Sequence, residues 1–104
     1  MGFFSAMNAA QIYLLNAWTV EFHKNIHMYS HDLKLSRGHE VYQVFCEDTP
    51  AGFVGIWPYE LKETIPDATF HELLGVLRKW ASLSDFQCRL YASQNDYESN
   101  DTTG

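Results

Sequence analysis

Residues 39–57 constrain the fold more than any other stretch of this chain. Val41, Tyr42, Val44, Phe45 and Cys46 form one β-rich run, and Phe53, Val54, Ile56 and Trp57 form a second. Between them Asp48, Pro50 and Gly52 supply turn initiation, a preset φ and a permissive φ, so the runs are expected to pair as an antiparallel hairpin. Pro58 brings no amide donor to a ladder and ends the second strand.

The flanking segments are read from their apolar spacing. Asn8 ahead of Ala9, Ala10 and Gln11 has the form of a helix N-cap with Gln at the third helical position. Ile12, Leu15, Thr19, Phe22 and Ile26 then recur at three- and four-residue intervals, and Tyr13, Leu14, Trp18 and Val20 widen the stripe. A first helix is expected here, buried on more than one side or paired with a partner, with Phe3 and Phe4 in a frayed extension or a docking arm. Ser30, His31 and Asp32, then Ser36, Arg37 and Gly38, read as loop, with Leu33 and Leu35 alternating as a short strand would. Thr69 and Glu72 form a capping box for a second helix, with Phe70, Leu73, Leu74, Leu77, Trp80 and Ala81 on one face. Phe86, Cys88, Leu90 and Ala92 alternate with Gln87, Arg89 and Tyr91, the pattern of a strand with one buried face.

The expected fold is therefore α+β: a small antiparallel sheet built on a central hairpin and covered by two helices, in the order α-β-β-α-β. A chain of 104 residues is one domain by length, placed at residues 1–92, with the polar, acidic residues 93–104 expected to be a disordered tail.

Composition narrows the function. At 15% aromatic residues the chain carries more rings than a minimal core needs, which points to some at a binding surface. Cys46 and Cys88 lie far apart in strand-like runs, so they read as buried hydrophobes in a reducing compartment rather than as a disulfide framework or as nucleophiles. No run approaches the roughly 18 apolar residues of a membrane span, and the expectation is a cytoplasmic protein without a membrane partner. The net charge is −6, and the seven Lys and Arg residues are dispersed, with no stripe to release counterions from a phosphate backbone. Direct nucleic-acid binding is not expected.

The chemistry-bearing residues form no strong motif. His23 and His27 would stack on one face of a helix, with His31, Asp32 and His39 following, but two side chains do not complete a tetrahedral shell and no fixed third ligand accompanies them, so no metal is expected. No serine lies in a Gly-x-Ser-x-Gly elbow, and no glycine-rich loop is present to cradle a phosphate, so no cofactor is expected.

One family resemblance covers residues 14–61. Trp18, then His23, Lys24 and Asn25, then Gly38 and Tyr42, then Asp48, Thr49, Pro50, Ala51, Gly52 and Phe53 leading to Trp57, resemble the N-terminal half of the toxin-activating lysine acyltransferases. Those enzymes are similar in fold to the GNAT acetyltransferases and move a fatty acyl group from acyl carrier protein to lysines. The resemblance implies that His23 is the catalytic histidine, a role an imidazole suits because its ordinary pKa is near neutral.

The residues themselves favour a different class: a small acidic protein-interaction module, an inhibitor or adaptor that blocks a larger protein or protein complex and is not an enzyme. Counter-defence proteins of phages and mobile elements, anti-CRISPR proteins among them, share this composition. Tyr13, Trp18, Trp57 and Tyr59 are the candidate contact residues, and a homodimer is the other partner class that the wide apolar stripe allows.

Overall fold

In a computed structural model the described residues are 10–25, 28–85 and 87–99, with side chains described from residue 12 onward. The proposed capping residues Asn8 and Ala9, the arm bearing Phe3 and Phe4, and Ile26, His27 and Phe86 lie outside them. Among the described residues the architecture is a curled, half-barrel, mixed sheet of seven strands carrying one α-helix. The strands are β1 (Ala10–Leu15), β2 (Trp18–His23), β3 (Ser30–Arg37), β4 (Glu40–Asp48), β5 (Val54–Trp57), β6 (Cys88–Leu90) and β7 (Glu98–Ser99). Helix α1 spans Asp67–Leu83.

This corrects the expected two-helix cover. In place of the first helix, residues 10–23 form the β1–β2 hairpin, Leu15 pairing with Trp18 across the two-residue loop Asn16 and Ala17. Both loop residues have positive φ, 52° and 69°, the left-handed pair that matches the twist of the flanking strands. The misreading has a physical source. Ile12, Leu15, Thr19 and Phe22 satisfy a helical period, yet Trp18, Val20 and Phe22 also alternate with Thr19, Glu21 and His23, and the structure takes the second period. The sheet is accordingly the body of the domain, with the hairpin of β4 and β5 as one of its members.

Strands β1 to β5 follow one another as an antiparallel meander. β6 then lies parallel to β5, another departure from an all-antiparallel sheet. Parallel neighbours need a crossover, and the chain supplies it with a 3-10 turn at Pro58–Leu61 followed by α1. Helix α1 begins two residues before the expected capping box, Phe70 donating its backbone N–H to the Pro66 carbonyl at 2.9 Å. Part of the stretch expected to be a tail, Glu98–Ser99, returns as β7 against β6, and Arg78 of α1 meets Glu98 at 2.9 Å.

The core lies between α1 and one sheet face. Trp18, Val20 and Phe22 of β2, Leu33 and Leu35 of β3, Val44 and Cys46 of β4, and Val54 and Ile56 of β5 meet Leu73, Val76, Leu77 and Trp80 of the helix. Phe22 and Trp80 pack with ring centroids 5.2 Å apart. One end of the helix is clipped to the sheet by Arg37, whose Nη1 lies 2.6 Å from Glu72 Oε2 and whose guanidinium sits 4.3 Å over the Trp18 ring.

Candidate functional site

Alternation along each strand leaves one set of side chains pointing away from α1, and register brings part of that set into a row. Asp32 pairs with Phe45 and Phe45 with Trp57. Because Ile56 pairs with Leu90, the next residues, Trp57 and Tyr91, also stand side by side. The rings follow in order: Phe45 to Trp57 at 5.2 Å, Trp57 to Tyr91 at 5.2 Å and nearly parallel, Tyr91 to Tyr97 at 5.5 Å. Gly55 makes room for this arrangement. The Trp57 indole lies over its backbone so closely that a Cβ at position 55 would overlap the ring.

The row is accessible. Phe45 is 43% and Tyr97 45% exposed, and on the same face Val41, Ile12 and Leu14 are also exposed. Among the described residues no helix covers this side. Arg89 borders the row, its guanidinium 3.9 Å over Phe53 and 4.5 Å over Tyr97.

Of the four candidate contact residues, only Trp57 joins the row. Trp18 is fully buried in the core, Tyr13 packs against the core from β1, and Tyr59 sits half-buried in the 3-10 turn, its N–H reaching the Tyr91 carbonyl at 3.3 Å. Phe45, Tyr91 and Tyr97 went unrecognised. The β4 run is apolar on both faces, so only its pairing with β3 and β5 tells which ring points out.

Beside Trp57 opens a cavity of about 470 Å³ lined by Tyr29, Glu47, Asp48, Thr49, Pro50 and Trp57. One lining residue, Asp48, lies close to the buried His31. His31 Nδ1 accepts the Asn25 backbone N–H at 3.1 Å, which leaves the ring proton on Nε2, 3.0 Å from Asp48 Oδ1 in a contact that misses good hydrogen-bond alignment.

At the other end of the same face, His23 of β2 lies directly across from Asp32 of β3. With Glu21, Lys34 and Gln43 they line a shallow depression of about 230 Å³, in which Lys34 and Glu21 pair at 3.4 Å. His23 and His31 occupy opposite sheet faces, and among the described residues no three His, Cys, Asp or Glu side chains are placed to hold a metal ion. Burial raises the thiol pKa of Cys46 far above its ordinary value, the nearby Cys88 and acidic groups adding to the effect. Burial also raises that of Cys88, against a Ser84 hydroxyl contact that lowers it. Neither offers a thiolate near neutral pH.

Comparison with protein-family models, with curated proteins and with solved structures finds no match for this chain. Among the described residues no helix is long and apolar enough to cross a membrane.

Proposed function

We propose that this chain works by binding a larger protein through the uncovered sheet face, as an inhibitor or adaptor. The observation that carries the reading is the row Phe45, Trp57, Tyr91 and Tyr97, four rings in contact on the side away from α1. Rings held by their neighbours lose little freedom on binding and present a large contact area, the character of residues that dominate interface energies. The net charge of −6 favours a basic partner surface. Blocking a macromolecular machine, as phage counter-defence proteins of the anti-CRISPR kind do, is the mode of action consistent with so small a domain. Two buried free cysteines support a reducing, cytoplasmic setting. The test is capture of the partner from the native host, its identification by mass spectrometry, and calorimetry with purified components. Trp57→Ala and Tyr91→Ala should each weaken association by about 2 kcal/mol or more. Unchanged affinity in both variants would remove this face from the interface.

A second reading rests on one specific relation, the cross-strand pairing of His23 with Asp32. His23 and Asp32 line one depression, a placement from which a lysine acyltransferase related to the toxin-activating enzymes would use His23 as base. Transfer of an acyl group from acyl carrier protein to a lysine, lost in His23→Ala at unchanged melting temperature, would favour it over the binding module.

A further inference from the structure

We infer that the cavity beside Trp57 is a receptor for an arginine side chain presented by the partner protein. The inference rests on the protein-binding reading and gives its interface a chemical anchor. The lining combines two aromatic residues, Tyr29 and Trp57, with two carboxylates, Glu47 and Asp48, and includes no basic residue. Aromatic rings attract a cation through the negative face of their π-systems, carboxylates neutralise it, and a planar guanidinium engages both at once better than an ammonium does. The volume, about 470 Å³, is ample to admit a guanidinium with its three-carbon stem and falls among ordinary small-ligand pockets.

The walls are fixed in advance. The Asp48 N–H donates to the Tyr29 carbonyl at 2.7 Å, tying the segment that carries the exposed Tyr29 to the end of β4. The Thr49 N–H and hydroxyl both donate to the Phe53 carbonyl, at 3.0 and 2.9 Å, and Gly52 N–H donates to the Thr49 carbonyl at 3.1 Å. The backbone of these walls therefore loses little freedom when the cavity is filled. Asp48 lies 3.0 Å from His31 Nε2, whereas among the described residues no ion pair engages Glu47. The cation that shares the cross-strand row of Glu47 and Gly55, Arg89, is taken up by Phe53 and Tyr97. Glu47 thus offers its carboxylate to an incoming charge beside that of Asp48.

The test uses N-acetyl-arginine-N-methylamide titrated into the full chain, followed by two-dimensional NMR of the Trp57 indole N–H and the Tyr29 ring. Saturable shifts at both residues are expected, with at least tenfold weaker binding of the uncharged citrulline analogue and at least fivefold weaker binding to Glu47→Gln. Absence of saturable shifts, or equal binding of the citrulline analogue, would overturn the assignment. The probe needs no partner, so its failure leaves the aromatic-row interface standing. If instead the probe binds and Glu47→Gln weakens the captured partner while Tyr91→Ala, which lies outside the cavity, is tolerated, the cavity stands and it is the row reading that falls.

Discussion

Trp57 and Tyr91 stack at a centroid separation of 5.2 Å with their planes 7° apart, although 33 residues separate them in the chain, 17 of which form α1 on the opposite face of the sheet. The parallel register of β5 and β6 places them side by side, and Gly55 leaves the indole space to lie down beside its neighbour.

Gly55→Ala should disturb that stack at its base. A methyl group would overlap the indole, so the ring must lift, at an expected loss of about 1–3 kcal/mol of stability, as for other overpacked sites. Urea denaturation with tryptophan fluorescence reads both effects, a lowered midpoint and a shifted emission maximum. An unchanged variant would mean that Trp57 does not rest on this strand.

Ala17→Gly discriminates the β1–β2 hairpin from the helix suggested by the apolar spacing. Ala17 sits at φ 69°, a conformation that disfavours residues with a Cβ, so glycine should stabilise the turn by roughly 0.5–1 kcal/mol after its greater unfolded-state freedom is deducted. Were residues 10–23 helical, the same change would destabilise by about 1 kcal/mol. The sign of the shift in thermal midpoint decides.

The Arg37–Glu72 clip gives a pH signature. Its hydrogen bond to Arg37 lowers the Glu72 carboxyl pKa below the ordinary carboxylate value, with a smaller contribution from the nearby Trp18 N–H. The Trp18 N–H lies near that carboxylate without a well-aligned hydrogen bond. A depressed folded-state pKa means that the unfolded chain takes up the proton first, so the stabilisation is present above the ordinary carboxylate pKa of about 4.3 and fades as pH falls through the lower folded value. Glu72→Gln should therefore melt below the native protein at neutral pH and converge with it in acid, the gap shrinking with added salt because the pair is surface-exposed. A gap that persisted at the acid end would assign the effect to packing.

Trp80→Ala should be the most damaging single truncation in the helix. Trp80 is fully buried against Phe22, and removing such a ring typically loses about 3–5 kcal/mol, a large share of the stability of a domain this size. Equilibrium urea unfolding measures it. A loss below about 1 kcal/mol would place the ring outside a close-packed core.

Cys46 and Cys88 should resist alkylation in the native state. Both are buried and burial raises their thiol pKa values, so iodoacetamide at mildly alkaline pH should label them only when the chain opens, and rapidly in denaturant. Equal labelling rates with and without denaturant would contradict the burial.

What the sequence determined by itself is the local structure wherever period and punctuation agree. The β4 and β5 runs, the turn between them, and the buried face of α1 through Phe70, Leu73, Leu74, Leu77, Trp80 and Ala81 were legible because one pattern dominates each. Residues 10–23 were not, since their apolar residues satisfy two periods at once and only pairing with β3 selects the strand, where Val20 meets Leu35 and Phe22 meets Leu33. The candidate site depended still more on tertiary structure. Trp57 was visible as a large ring at a strand end, but Phe45, Tyr91 and Tyr97 join it only through cross-strand register, a relation between residues distant in the chain. Trp18, an equally plausible surface ring by composition, went inside for the same reason: alternation fixes which residues share a face, and only the packing of α1 decides which face is buried.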